Sequence, residues 1–416
     1  MKSFLPALTG LRFVAAFSVI ISHSLLWVFR SDDHGPIFSF FSSLSALGMT
    51  LFFVLSGFVI HHNYSDIVGT KSGLRKFFVA RFARLYPLYF LALATELVIR
   101  RPPVDDLIAL PFYLTLTQTW LYLPILGKPL ASQFGSMTSV SWSISTEVFF
   151  YLSFPALCLV LPRRLVPSII SFCALALAAV IIAGLYRAQL ETFGLDTWGD
   201  LGGVWLTGFY RWLLYFSPYS RILEFILGVL VSALVQRTPK PITKMQALYL
   251  SVVAIAGTIA LQWEMFEVHG SPWPLLVLHL NFGFAPFVAI MIFVCAKNQN
   301  ALTRLLSVRP IVLLGEASYS MYLTHPIIVG VVQPHLKKHG AAELIQMLGC
   351  LAAIAGVSLL SWRLIEMPAR RIIRRMLDDP YNASSRDRGL NHVSNSRGRV
   401  AHLPTERPVP AAQDRP

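Results

Sequence analysis

Long apolar runs recur along almost the whole chain and are separated by short polar or charged linkers. Each run approaches the roughly 20 residues that an α-helix needs to cross the hydrocarbon core of a bilayer. The short alternating strands of a membrane β-barrel are absent from the pattern. We therefore expect an all-α, polytopic membrane helix bundle. The apolar runs lie at residues 8–29, 37–61, 82–99, 107–125, 142–161, 166–186, 220–236, 246–263, 275–296, 312–334 and 344–365.

Basic residues concentrate in the linkers, as expected where a linker faces the cytoplasm. Such linkers carry Lys71, Arg75, Lys76 and Arg81, then Arg163 and Arg164, then Arg237, Lys240 and Lys244, then Lys297, Arg304 and Arg309. The linkers near 75 and 163 cannot both be cytoplasmic if all three intervening runs cross the membrane. The run at 107–125 contains Pro111 and a polar Thr/Gln group, so we predict that it is re-entrant. About ten crossings then leave both termini in the cytoplasm.

The composition changes after Arg375, where Pro, Ser, Asn and Arg replace large apolar residues. We expect residues 1–376 to form one membrane-embedded domain and residues 377–416 to form a disordered cytoplasmic tail. The stretch 187–218 is rich in Trp, Gly and Tyr and is predicted to be an external loop with interfacial aromatic anchors. All four cysteines lie inside apolar stretches without metal-ligand spacing, so no metal site is expected.

The formal net charge of +14 would suggest a nucleic-acid partner in a soluble protein. Here 55% of the residues are hydrophobic and 13% are charged, and the basic residues flank apolar runs. We therefore expect a multi-pass protein of the plasma (inner) membrane, with membrane lipid and no nucleic acid among its partners.

Placing a charged side chain inside a membrane span costs free energy, so each such residue is a candidate for a functional role. Arg12 and His23 lie eleven residues apart in the first predicted helix, about three turns, so both project from one face. They would stand about 16 Å apart along the helix axis. A packing role for His23, and extension of Arg12 to the headgroups, remain alternatives.

Arg81 and Arg84 are neighbours on one helical face at the predicted cytoplasmic mouth of the next helix but one. Two guanidinium groups there suit a polyphosphate, because each can bind phosphate oxygens in a bidentate fork. Ordinary flanking of a membrane span by basic residues is the alternative.

Glu147 lies within an apolar helix, where a carboxylate needs a basic partner or a water-filled cavity. Ser141, Trp142 and Ser143 precede it and could orient a sugar through hydroxyl hydrogen bonds and ring stacking. Serine-lined helix packing is an equally ordinary explanation of these residues.

A late helix carries Tyr319, Tyr322 and His325 in its predicted cytoplasmic half, and the last two share one face. We expect these three to contact substrate. The chain has no G-x-S-x-G elbow, no His-rich metal signature and no Gly-rich phosphate loop. A general base therefore fits better than a covalent serine or cysteine.

Six ordered segments over about residues 5–368 resemble the acyltransferase 3 family of integral membrane acyltransferases. They are TGLRFVAAFSVIISH, the FFVLSGFVI run, RFARLYPLY, SWSISTEVFFYLSFP, GEASYSMYLTHP and the closing IEMPAR. The resemblance implies an acyl-CoA donor approached from the cytoplasm. It also implies an acceptor that is a surface polysaccharide, a lipid-linked glycan or another sugar.

The resemblance also assigns roles to particular residues. His23 matches the histidine held essential for acyl transfer, Arg12 the arginine of the same helix, and Arg81 and Arg84 the arginine pair associated with the donor. The family often has two successive acidic residues where this chain has Glu147 followed by a valine, so the carboxylate role rests on Glu147 alone.

We therefore predict a membrane-bound O-acyltransferase that uses acyl-CoA, with acetyl-CoA expected, to modify a carbohydrate or glycolipid hydroxyl. His23, Arg12 and Glu147 are its candidate catalytic residues, with a neutral imidazole as the base. The rival is a secondary transporter of a sugar or anion, because many spans with midplane charges also describe transporters. Transporters commonly carry two repeats, and no second copy of TGLRFVAA, RFARLYP or SWSISTE occurs here.

Overall fold

The computed structural model describes residues 5–28, 36–125, 128–130, 134, 136–161, 164–198, 208–267, 277–278, 281–298, 300–332 and 341–378. These ranges are overwhelmingly helical, with one two-stranded antiparallel pair, Pro124–Ile125 (β1) with Lys128–Pro129 (β2). Eight of the described helices are long and apolar enough to cross a membrane. The prediction of an all-α polytopic membrane protein is thereby confirmed.

The first half of the chain forms the following helices. They are Pro6–Val28 (α1), Pro36–Ser42 (α2), Ser45–Tyr64 (α3), Lys71–Arg100 (α4), the 3₁₀ turn Val104–Ala109, Leu110–Leu114 (α5), Ser136–Val160 (α6), Leu165–Leu185 (α7) and Arg187–Trp198 (α8).

The second half continues with more helices and two π-helical segments. They are Phe209–Arg211 (α9), the π segment Trp212–Phe216, Pro218–Arg237 (α10), Lys244–Glu267 (α11), Ala285–Lys297 (α12), Ala301–Leu306 (α13), Arg309–Glu316 (α14), Ser318–Val332 (α15), Ala341–Ser361 (α16), the π segment Trp362–Glu366 and Met367–Asp378 (α17).

The predicted re-entrant run 107–125 forms only the 3₁₀ turn, α5, turns and β1, none of which approaches the length of a membrane span. Two of its polar residues bond to α6. Gln118 Nε2 donates to the Ser141 hydroxyl over 3.2 Å, and the Thr119 hydroxyl donates to that of Ser145 over 2.8 Å. Buried protein contacts thus replace water around a backbone that does not cross.

Two of the predicted spans are shorter than expected. The run at 275–296 is represented by α12, which has 13 residues, and the run at 312–334 by α14 and α15, which a break at Ala317 separates. Thirteen helical residues cover about 20 Å, less than the thickness of the hydrocarbon core. Eight of the ten predicted crossings thus have a described helix long enough to span, and α12 and α15 lie at the positions of the other two.

The described part of the predicted external loop at 187–218 is largely helical rather than irregular, because α8, α9 and the first π segment lie there. Arg187 pairs with Glu191 one turn later at 3.0 Å, and Phe209 packs edge-on against Phe193. At the other end, residues 377 and 378 of the predicted tail belong to α17, while residues 379–416 lie outside the described ranges.

The centre of the bundle is aromatic, and α3 and α10 pack closely beside it. A Cβ at Gly57 would stand 2.0 Å from the carbonyl oxygen of Phe225, and a Cβ at Gly228 would stand 2.0 Å from that of Val54. Glycine at these two positions lets the backbones meet, as is common where membrane helices pack. The fully buried rings of this centre include Phe58, Phe77, Phe150, Phe154 and Phe225.

Helix α1 packs against α3, α14 and α15. Gly315 lies against the carbonyl of Thr9, and His325 lies against His23. The earlier residue of α1 meets the earlier residue of the α14–α15 pair, and the later residue meets the later one, so α1 runs parallel to that pair. Parallel packing agrees with a first and a ninth crossing that enter the membrane from the same side.

Candidate functional site

Seven of the predicted site residues line one cavity within the bundle, which has a volume of about 60 Å³. Arg12 reaches it from α1, Arg81 and Arg84 from α4, and Glu147 from α6. Apolar side chains from α3 form much of the remaining wall. Residues separated by more than a hundred positions in the sequence therefore share one cavity.

The guanidinium groups in this cavity have unsatisfied donors. Buried nitrogens of Arg12 (Nη2), Arg81 (Nε and Nη1) and Arg84 (Nε) find no hydrogen-bond acceptor among the described residues. The Arg81 guanidinium is held by cation–π contacts, 5.3 Å from the Tyr64 ring centroid and 5.7 Å from that of Tyr151. Buried donors of this kind are costly unless a ligand or water accepts from them. Three cations and one carboxylate favour an anionic ligand.

Glu147 is anchored to the cavity wall. Its Oε1 accepts a hydrogen bond from the Ser56 hydroxyl over 3.0 Å and another from the Tyr151 hydroxyl over 2.5 Å. Tyr151 also contacts Arg81, so the carboxylate and one of the arginines are supported by the same ring. Glu147 is thus placed to balance part of the positive charge and to hold the arginines in position.

His23 and His325 form a pair about three helical turns along α1 from Arg12. Nδ1 of His23 lies 3.0 Å from Nε2 of His325, and the two rings meet at their edges, with centroids 5.3 Å apart and planes inclined by 29°. The Tyr322 ring lies 5.9 Å from the His325 ring and also lines the arginine cavity. Tyr322 therefore links the cationic cavity to the histidine pair.

The remaining predicted substrate residues divide into two groups. Ser143, Tyr319 and Tyr322 line the cavity, where the Ser143 hydroxyl donates to that of Tyr322 over 2.8 Å. Ser141 is fully buried and meets Gln118 instead. The ring of Trp142 lies 5.0 Å from Tyr215 and 5.1 Å from Phe216, centroid to centroid, so protein rather than a sugar covers it.

A second buried ionic group was not among the predicted site residues. Arg221 Nη1 pairs with Glu224 Oε1 at 3.0 Å, and both side chains are almost fully buried within α10. The Thr50 hydroxyl donates to the same oxygen, and the Arg221 guanidinium lies 4.6 Å from the centroid of the Tyr215 ring. Two charges three residues apart in the apolar run 220–236 were the sequence signal for this pair.

The end of the membrane domain adds another charged contact. Glu366, in the second π segment, accepts a hydrogen bond from the Ser320 hydroxyl over 2.6 Å and pairs with Arg370 of α17. Helix α17 packs on α4, the helix that carries Arg81 and Arg84. Within the described ranges, no three His, Cys, Asp or Glu side chains come together closely enough to hold a metal ion.

The fold and the cavity together define a polytopic membrane protein with a buried arginine site beside a histidine pair. The family model described as an acyltransferase domain matches residues 5–363, so the chain belongs to the acyltransferase 3 family. This confirms the resemblance stated from the sequence motifs.

Several curated proteins are similar to this chain. "Acyltransferase MdmB" of Streptomyces mycarofaciens is 29% identical over 344 residues, which cover 78% of this chain and 79% of that protein. "O-acetyltransferase OatA" of Staphylococcus aureus is 27% identical over 392 residues, 88% of this chain and 57% of that protein. "Peptidoglycan O-acetyltransferase OatA" of Listeria monocytogenes is 25% identical, over 89% of this chain and 56% of that protein.

The chain thus spans a little over half the length of the two OatA proteins. No solved structure matches it significantly.

Proposed function

We propose that this chain is a membrane-bound O-acyltransferase that moves an acyl group, expected to be acetyl, from acyl-CoA to a hydroxyl of a carbohydrate. The supporting observation is the cavity in which Arg12, Arg81 and Arg84 present unsatisfied buried donors next to Glu147. A site with this excess of positive charge suits the phosphates of an anionic acyl donor.

The donor would place its diphosphate at Arg81 and Arg84. Each planar guanidinium can bind two phosphate oxygens at once, and the two residues lie on one face of α4. Arg12 lies eleven residues from His23 in α1, about 16 Å along the axis. The flexible pantetheine arm would extend over this distance, past Tyr322, and carry the thioester to the histidine pair.

His23 would act as the general base. As the sugar hydroxyl attacks the thioester carbonyl, His23 removes its proton, the new C–O bond forms and the C–S bond breaks. The proton then passes to the departing CoA sulfur, so one ester and one free thiol result. Proton transfer by a positioned side chain contributes about a hundredfold to ten-thousandfold in rate.

The acceptor is proposed to be a surface polysaccharide or a lipid-linked glycan. The names of the OatA relatives support this class, because they describe O-acetyltransferases and, in one case, peptidoglycan O-acetylation. The protein would lie in the plasma (inner) membrane with both termini in the cytoplasm. The parallel packing of α1 with α14 and α15 supports an even number of crossings between the start of α1 and the start of α14, which both termini on one side require.

We expect deletion of the gene to remove one O-acyl modification from the surface glycans of the source organism, because ester formation needs the enzyme. Mass spectrometry of those glycans would measure the loss, and expression of the parent chain should restore it. Purified chain in proteoliposomes should also bind acetyl-CoA, measured by calorimetry. Unchanged glycan acylation, together with uptake of a sugar or anion that depends on this chain, would instead support the transporter.

Replacing Arg81 or Arg84 by lysine should weaken acetyl-CoA binding about tenfold, because lysine keeps the charge but loses the two-pronged contact with phosphate. Calorimetry on the purified variants would give the dissociation constants, and circular dichroism would verify that they are folded. Arg75→Lys is the matched control, since Arg75 is exposed on the same helix and does not line the cavity. Parental affinity in both cavity variants would contradict the assigned donor site.

A further inference from the structure

One backbone carbonyl of α15, that of Tyr322, lacks its usual helical hydrogen bond, and the side chain of His325 bonds to it instead. In an α-helix the carbonyl of Tyr322 would accept from the N–H of residue 326, but that residue is a proline and has no N–H. Nδ1 of His325 lies 2.7 Å from this carbonyl oxygen. A carbonyl can only accept, so Nδ1 of His325 carries the hydrogen.

The position of that hydrogen determines the rest of the pair. A neutral imidazole has one N–H and one lone pair, so Nε2 of His325 is an acceptor. Nδ1 of His23 lies 3.0 Å from it and must therefore be an N–H donor. Nε2 of His23 is then the nitrogen with the lone pair, which is the atom that can take up a proton.

This arrangement reverses the intrinsic preference of the side chain. A neutral histidine in water favours the tautomer with hydrogen on Nε2, which leaves Nδ1 as the basic atom. In the structure, the chain of bonds from the Tyr322 carbonyl through His325 holds His23 in the other tautomer. His325 is completely buried, so bulk water does not replace it as the acceptor.

We propose that His325 is a positioning residue rather than a substrate contact: it fixes the tautomer and the ring orientation of His23. When Nε2 of His23 takes a proton, its Nδ1–H still donates to His325, so the same bond stabilises the imidazolium. The catalytic benefit rests on the proposed role of His23 as the base, whereas the tautomer follows from the geometry alone. Fixing the tautomer of a catalytic histidine is worth orders of magnitude in rate where the orienting group has been altered.

Nitrogen-15 NMR of the full chain, labelled at histidine and held in lipid nanodiscs, tests the tautomer directly. The signals of His23 are assigned by their loss in His23→Gln. We expect the parent to show His23 with hydrogen on Nδ1. His325→Gln should keep that tautomer, because its amide oxygen can accept the same bond, whereas His325→Leu should shift it to the Nε2–H form.

Steady-state kinetics of the same variants measure the consequence. His325→Leu should lower kcat about a hundredfold and leave the KM for acetyl-CoA within about twofold, because the donor site is intact. The kcat of His325→Gln should be at least about tenfold higher than that of His325→Leu. A purely structural histidine would make the two variants equally poor and would lower their thermal midpoints together.

Hydrogen on Nε2 of His23 in the parent overturns the proposal, as does equal activity in the Gln and Leu variants. If the Leu variant fails to fold, the NMR spectrum of the parent and the activity of the Gln variant still test the proposal. An active His23→Gln variant would show that His23 is not the base. The tautomer of His23 in the parent, measured by NMR, would still decide the proposal for His325.

Discussion

Replacing His23 by glutamine should abolish nearly all acyl transfer while leaving a folded protein that binds acetyl-CoA like the parent. Glutamine keeps most of the volume of histidine and can donate to His325 through its amide, but it cannot accept and release a proton near neutral pH. The loss of a general base costs about a hundredfold to ten-thousandfold in rate. Single-turnover transfer of radiolabelled acetyl groups from acetyl-CoA by purified protein would measure it.

His61→Gln is the matched control for this experiment. His61 is a buried histidine in the neighbouring helix α3, and its Nδ1 lies 2.9 Å from the Ser232 hydroxyl, away from the arginine cavity. We expect this variant to lose some stability and to keep its rate, because the contacts that change do not line the arginine cavity. A His23→Gln variant that retained more than about a tenth of the parental rate would refute the base assignment.

Local periodicity was sufficient to predict the parts of the site that lie on single helices. An eleven-residue spacing placed Arg12 and His23 on one face of α1, and a three-residue spacing did the same for Arg81 and Arg84 on α4. Arg12, Arg81, Arg84 and Glu147 do share one cavity. Their costly positions inside apolar runs were the common signal.

Contacts between distant helices could not be predicted in this way. His23 and His325 are 302 positions apart, and their pairing depends on the packing of α1 against α15. The same limit applies to Trp142, which the sequence predicts to stack on a sugar. The rings that cover it belong to the π segment at Trp212–Phe216, far along the chain.

The external loop at 187–218 shows a different limit. Its Trp and Gly content resembles that of an interfacial loop, but the described residues there are largely helical. Propensity is a weak guide where tertiary packing overrides it, and here Phe209 packs against Phe193 and Tyr122. Element type was therefore predicted best where long apolar runs left few alternatives.

Replacing Arg221 by methionine should destabilise the folded protein by about 3–5 kcal/mol, because it leaves the Glu224 carboxylate buried without its cationic partner. Both side chains are at most 1% exposed, so water cannot compensate for the loss. The double variant with Glu224→Leu should recover much of the stability, because neither charge then remains in the apolar interior. Denaturant-induced unfolding of the purified variants in detergent would give the free energies and the coupling between the two sites.

The pair Arg187 and Glu191 is the matched control, because it has the same chemistry and a 3.0 Å contact but side chains that are 37% and 33% exposed. Breaking it by Arg187→Met should cost no more than about 1 kcal/mol, as is usual for ion pairs near the surface. A cost below about 1 kcal/mol for Arg221→Met as well would contradict the argument. It would mean that water or lipid headgroups reach Glu224 in the folded protein, and that α10 lies closer to the membrane surface than its burial indicates.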